Sequence, residues 1–226
     1  MGLTTGVCFA HLGHDVICAD IDVDKVARLE RGESPIVEER IEELIAEGLE
    51  TGRLRFTDSP AAAVSDCEIA FLCVPTPSLP DGSVDLAFIE SAVEMIADAL
   101  PPETVVATKS TVPVGSTRVV EQALGRHDVA VVSNPEFLRE GTAVRDFLTP
   151  DRVVIGSDDP GASIRVAALY EPLGAPVVIT DPATAETVKY VANAFLATKL
   201  SFVNAIAAVC EAVGADVDDV MASLGH

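Results

Sequence analysis

Positive charge is what this sequence has least of. Its 226 residues hold 15 lysines and arginines against 36 aspartates and glutamates, a net charge of −21. Phosphate backbones are gripped by clustered cations, so no nucleic-acid partner is expected. Attraction to an anionic membrane surface is excluded on the same ground. No run of about 18 continuous apolar residues occurs, so no membrane span is expected. No basic-then-apolar segment opens the chain as a secretory signal would. The cysteines are Cys8, Cys18, Cys67, Cys73 and Cys210, an odd number with no CxxC pair. That usage fits a reducing cytoplasm rather than a disulfide framework. The histidines form no zinc pattern. His11 and His14 share a helical face by spacing but have no cysteine or carboxylate pair nearby, so a helix end closed by Gly13 is expected and no metal site. Repeats and low-complexity segments are absent too.

What is present is a folding sequence. Hydrophobic residues make up 49% and charged residues 23% of it, which excludes disordered and fibrous classes. At roughly 150 residues per domain, the length suits one large domain or one and a half. Short apolar runs at 15–20, 54–57, 69–74, 104–108, 129–133, 152–156 and 176–180 read as strands. Helical patterns at 2–12, 22–30, 38–51, 85–100, 115–124 and 160–170 separate most of them, and a Pro/Gly-rich loop follows at 75–83. Such alternation predicts βαβ units and an α/β fold, a Rossmann-like, doubly wound parallel sheet. After Thr180 the alternation stops. Residues 183–213 contain neither Pro nor Gly and read as one long helix closed by Gly214, and 216–224 begins another. The expected division is an α/β domain over 1–181 and the start of an all-helical domain over 182–226.

Ligands of such sheets bind beyond the carboxyl ends of the strands. Asp20 ends the second expected element. An acid there accepts from ribose hydroxyls and repels a 2′-phosphate, which favours NAD over NADP as cofactor. Asp20 and Asp22 also suit simple capping of the next helix. A GxGxxG fingerprint is missing, and Gly2 fits only its third, helix-packing glycine. An amino-terminal truncation is therefore expected.

Three loops after strands are distinctive: VPTPS at 74–78, KSTVPVG at 109–115 and NPEFLREG at 134–141. KYVAN at 189–193 on the long helix joins them, as do DRVVIG at 151–156 and ANAFLAT at 192–198. In that order they resemble the UDP-glucose/GDP-mannose dehydrogenase family over the whole chain. The resemblance implies a four-electron oxidation. A nucleotide-sugar C6 alcohol, as in UDP-glucose, passes through an aldehyde and a cysteine thioester to a carboxylate, and two NAD are reduced.

Lys189 and Asn193 lie four apart and so share a helix face. The resemblance assigns them to a developing oxyanion; the bland reading is a solvated lysine with a packing amide. Glu136 and Glu140, also four apart, are like charges flanking Phe137 and Leu138. They are expected to be partly desolvated, which tends to raise a carboxylate pKa. The family places Glu140 beside the thioester as the base for water, with Glu136 next to it, and Phe137, Leu138 and Arg139 against the substrate. Two acids on an ordinary helix turn are the alternative. Thr111 corresponds to a residue that helps hold a water and meets the cofactor, or else it caps a helix beside Pro113. Val74, Pro75, Thr76, Pro77 and Ser78 correspond to the nicotinamide-side segment, with Ser110 and Glu140 also near the cofactor. Lys25 reads as a ribose contact or as a solvated helix lysine.

Departures limit the reading. The family nucleophile is a cysteine in a GGxCxxKD motif that lies beyond these residues, and none of the five cysteines can replace it. Cys210 fits a helix core and Cys73 a buried strand. Residues 37–40, VEER, differ from relatives and are expected to affect only a helix start. The chain as written is expected to be a fragment, inactive alone, of a cytoplasmic enzyme that is homodimeric through its helical domain. The apolar face of Ala192, Phe195, Phe202, Ile206 and Val209 has little in the chain to cover it. A GDP-mannose or UDP-N-acetylhexosamine dehydrogenase is the nearest alternative. A non-catalytic nucleotide-binding or dimerisation module is the alternative of another class.

Overall fold

The computed structural model describes residues 1–224. Seven four-residue strands carry the fold: β1 Val16–Ala19, β2 Leu54–Thr57, β3 Ile69–Leu72, β4 Val105–Thr108, β5 Ala130–Ser133, β6 Val153–Gly156 and β7 Val177–Thr180. The helices are α1 Gly2–His11, α2 Val23–Glu30, α3 Ile41–Thr51, α4 Pro60–Val64, α5 Ala87–Ile96, α6 Ser116–Leu124, α7 Ala143–Leu148, α8 Pro160–Ala168, α9 Pro182–Val213 and α10 Val217–Leu224. The chain divides into two compact units, residues 1–187 and 188 onward.

The apolar runs of the central strands β4, β5 and β6 are explained by burial on both faces. Successive side chains of a strand point to opposite sides. In β4, Val105 and Ala107 enter one apolar core with α1, α3 and α8, while Val106 enters a second with α5 and α6. Val132 and Val131 of β5 divide in the same way. A strand covered on both sides has no polar face to show, so it reads as an unbroken apolar run. This is the doubly wound, Rossmann-like α/β arrangement expected.

The layer is not one continuous parallel sheet, however. β1 and β2 pair in parallel as one sheet, and β3-β4-β5-β6-β7 form another. α1 bridges both: a Cβ on Gly2 would lie 3.1 Å from the Cys73 Cβ, and one on Gly6 2.2 Å from the Cys18 Sγ. A side chain at Gly6 would force Cys18 of β1 to shift, and one at Gly2 would crowd Cys73 just after β3. Within the larger sheet, β6 meets β5 antiparallel, at Ser133 and Gly156 alone.

Other corrections are local. The helix expected from residue 38 begins at Ile41, after Arg40 in the left-handed region at φ 66°. Glu38 is outside it, and its side chain reaches residues 141 and 143, so residues 37–40 do more than start a helix. α4 and α7 are short helices that periodicity did not reveal. α9, 32 residues with a mean hydropathy of 1.5 in its most apolar stretch, is long and apolar enough by length and composition to cross a membrane. The absence of uninterrupted apolar runs hid this, because Lys189, Asn193 and Lys199 break the stretch. Its first turn belongs to the α/β unit: Ala185 is fully buried and Glu186 nearly so.

Candidate functional site

The loops singled out by sequence emerge at the carboxyl ends of β3, β4 and β5. The first two are joined by their own hydroxyls. The Ser110 hydroxyl donates to the Val74 carbonyl at 2.6 Å and the Thr76 hydroxyl to the Thr111 carbonyl at 2.8 Å. Pro75 and Pro77 fix the backbone between these anchors. The far end of the 109–115 turn is held by Glu186. Its buried carboxylate accepts from the Gly115 amide at 2.6 Å, the Thr117 amide at 2.8 Å and the Thr117 hydroxyl at 2.7 Å. A charge so deep in the protein is tolerable only with such donors.

The third loop, 134–141, is irregular backbone rather than a helix. The loop expected there is present, and the alternative of two acids on an ordinary helix turn is excluded. Pro135 disfavours helix at Asn134, and the Glu136 carboxylate accepts from the Leu138 amide at 2.5 Å, which shapes a local turn. Glu136 is buried and Glu140 is exposed, so only the first is desolvated as expected. The loop starts from a buried polar cluster. The Asn134 side-chain oxygen accepts from the Tyr170 hydroxyl at 2.5 Å and from the Lys109 ammonium at 3.3 Å, while its amide donates to the Val154 carbonyl at 2.9 Å. Lys109 is 4% exposed, its ammonium 5.5 Å from the Tyr170 ring centre and 5.8 Å from that of Phe147. Beside it lies a cavity of about 270 Å³ bordered by Glu136, Phe137 and Arg152. Arg152 lies 4.2 Å over the Phe137 ring. Arg139 forks onto Asp146, at 2.7 and 3.0 Å.

At the end of β1 the two acids take separate tasks. Asp22 caps α2 by accepting from the Lys25 amide at 3.0 Å. Asp20, half-buried, accepts from the Asp22 amide at 3.1 Å and pairs with the Lys25 ammonium. Lys25 therefore bears on Asp20 directly and is no free helix lysine. An acid at the end of β1, a close-packed glycine opening α1, and a proline-stiffened loop after β3 together suit a dinucleotide. Asp20, Gly2, residues 74–78, Ser110 and Thr111 are the groups that would hold NAD.

Burial works against four of the five thiols as nucleophiles. Burial pushes Cys8 and Cys18 up to about 12 and raises Cys67 and Cys73. A nucleophilic cysteine needs the opposite shift. His11 faces Glu47 at 3.0 Å, and His14 meets the Leu169 carbonyl at 3.1 Å. In the second unit, Lys189 is buried and Asn193 exposed, one turn apart on α9. Sequence reasoning missed Lys109, Asn134, Tyr170 and Glu186. The first two lay inside motifs already noted; nothing in the sequence announces the partners of the others.

Residues 1–174 match the NAD binding domain of the UDP-glucose/GDP-mannose dehydrogenase family, and residues 183–226 match its central domain. The whole chain is 46% identical to the UDP-glucose 6-dehydrogenase of Rhizobium meliloti (strain 1021), covering 54% of that protein. It superposes on a UDP-glucose dehydrogenase from Pyrobaculum islandicum with a TM-score of 0.94 at 39% identity, over 99% of this chain and 54% of that one. A ternary complex of GDP-mannose dehydrogenase from Pseudomonas aeruginosa gives 0.92 at 35% identity, over 98% and 53%. The chain thus spans about half the length of the curated relatives it matches. The three strand-end loops stand on the expected strands, and both domains match in order. The chain belongs to the UDP-glucose/GDP-mannose dehydrogenase family, and NAD is the cofactor of its first domain.

Proposed function

We propose that the protein carrying this chain is an NAD-dependent oxidoreductase of the cytoplasm that converts the C6 alcohol of UDP-glucose to the carboxylate in two hydride transfers. The observation that carries this reading is loop 134–141, with its buried and its exposed glutamate, in a chain 46% identical throughout to a UDP-glucose 6-dehydrogenase. Residues 1–181 form the NAD-binding domain, and 182–226 open a helical domain through which two copies associate. The similarity to a GDP-mannose dehydrogenase supports that nucleotide sugar as the second reading. A non-catalytic module is disfavoured by relatives that match the whole chain and are named as dehydrogenases.

Each residue has a task. Asp20 accepts from the adenosine ribose hydroxyls and disfavours a 2′-phosphate, with Lys25 orienting it. Gly2 keeps α1 close to the sheet. Residues 74–78, Ser110 and Thr111 line the nicotinamide side, where bound NAD supplies the hydride acceptor. Lys189 and Asn193 donate to the oxyanion that develops at the sugar's C6. Glu136, Phe137, Leu138 and Arg139 contact the sugar nucleotide. Glu140, also near the cofactor, takes a proton from the water that attacks the thioester. The carbon–sulfur bond breaks and thiolate leaves. That thiol is not Cys8, Cys18, Cys67 or Cys73, whose burial holds them protonated.

The test is turnover by the full-length protein with NAD and, separately, UDP-glucose, GDP-mannose and a UDP-N-acetylhexosamine. The expected result is two NADH per UDP-glucose, little use of NADP, and a narrowed NAD preference in Asp20→Ala. One NADH per sugar would remove the thioester route. Preference for NADP in the intact protein would remove the role given to Asp20.

A further inference from the structure

Residues 31–40, between α2 and α3, contain no motif and contribute no group to the site described above. One side chain leaves this stretch for a distant partner. Glu38 is half-buried, and its two carboxylate oxygens accept from the Gly141 amide at 2.8 Å and the Ala143 amide at 3.1 Å. The amide between them, Thr142, donates to the Arg139 carbonyl at 3.1 Å. Every N–H group of the three residues after Glu140 is thereby engaged, two of them by Glu38. On the other side of Glu140, the Arg139 amide and guanidinium both donate to Asp146. Glu140 itself is exposed between these two anchors. Arg40, two residues after Glu38, is held at φ 66°, a conformation uncommon outside glycine, and its guanidinium pairs with Glu43. A surface turn free to relax would shed that strain; here it persists where the chain leaves Glu38 and enters α3.

We infer that Glu38 is a positioning residue for Glu140. By fixing the peptide that follows Glu140, it sets the direction from which that carboxylate meets a water. The inference rests on the reading of Glu140 as the hydrolytic base. A carboxylate is needed rather than an amide, because Gln offers one acceptor oxygen to two donors and turns its own N–H₂ toward the other.

The experiment compares Glu38→Ala, Glu38→Gln, Glu140→Gln and the Glu38→Ala/Glu140→Gln double variant in the full-length protein. Hydrogen exchange at Gly141 and Ala143 reads the anchor without reference to activity. It is expected to accelerate at least about tenfold in Glu38→Ala, with Glu38→Gln intermediate. Single-turnover reaction with UDP-glucose, followed by intact-protein mass, reads the consequence. A covalent adduct is expected to accumulate in Glu38→Ala, with thioester hydrolysis slowed at least about tenfold and the first hydride transfer changed far less. In the double variant, the loss beyond Glu140→Gln alone is expected to vanish, since residues acting as one unit are not additive. Unchanged exchange would overturn the anchor. Equal slowing of both chemical steps, or full additivity, would reduce Glu38 to general stabilisation and overturn the positioning role. If exchange accelerates but no variant accumulates adduct, Glu140→Gln included, the assignment of Glu140 is wrong and the positioning role falls with it.

Discussion

The Arg139 guanidinium and amide, with the Thr142 hydroxyl, hold the Asp146 carboxyl down at about 2. An acid whose pKa is lowered by folding stabilises the fold above its unfolded value, near 3.9, and loses that contribution as pH falls through the folded value. The contribution is therefore complete at neutral pH and fades between about pH 4 and pH 2. Asp146→Asn is expected to lower unfolding stability at pH 7 by about 1 kcal/mol, below the usual range for hydrogen bonds to a charge, because Arg139 lies largely in solvent. Urea titrations at pH 7 and pH 2 check this: the gap between wild type and variant closes at pH 2. A gap of the same size at both values would show that the ion pair is not the cause. Sequence named Arg139 as a substrate contact; folding also gives it a partner seven residues on. Asp20 and Asp22 teach the same lesson. Asp20 was legible as ribose acceptor or cap and Asp22 as the cap of the next helix; the structure gives the cap to Asp22 and pairs Asp20 with Lys25.

Strands were the most legible elements. Each is four residues long, and the central ones, β4, β5 and β6, are buried on both faces, so their apolar composition alone exposes them. The helices α4 and α7, of five and six residues, were not legible because they complete too few turns to show a period. Segment 134–141 was legible as a loop; the alternative of two acids on a helix turn is excluded by Pro135 and the Leu138-to-Glu136 hydrogen bond, which direct the backbone elsewhere. Glu186 was not singled out at all, yet it ties the first turn of α9 to the start of α6. Glu186→Ala leaves the buried Thr117 amide and hydroxyl, and the amide of the exposed Gly115, without their acceptor, at a cost of about 3 kcal/mol. Glu186→Gln, which keeps one acceptor oxygen, is expected to lose less. Chemical denaturation of both variants provides the measurement. A loss under about 0.5 kcal/mol in Glu186→Ala would mean water replaces the carboxylate without penalty.

For the whole molecule, the second unit presents Phe195, Phe202 and Val209 to solvent, at 67%, 49% and 56% exposure. Ala192 and Ile206, expected on the same face, are half-buried. Contiguous exposed apolar surface of this kind is covered in stable proteins by association. Phe195→Glu with Phe202→Glu is expected to shift the full-length protein to a smaller species in sedimentation velocity, with its helical content retained. An unchanged sedimentation coefficient would exclude that face as the contact between copies.

The order of the strands and the longer helices, the two-sided burial of the central strands and the place of the loops at their carboxyl ends were determined by sequence alone. All of these follow from local periodicity and from residues close together in the chain. Tertiary structure decided the rest. It set β6 antiparallel to β5, and left Glu140 exposed while burying Glu136. It also brought Glu38 to Gly141, 103 residues away, and Glu186 to Thr117, 69 away. A carboxylate's partner at such a distance is fixed by where two elements meet in space, and no pattern of neighbouring residues encodes that meeting.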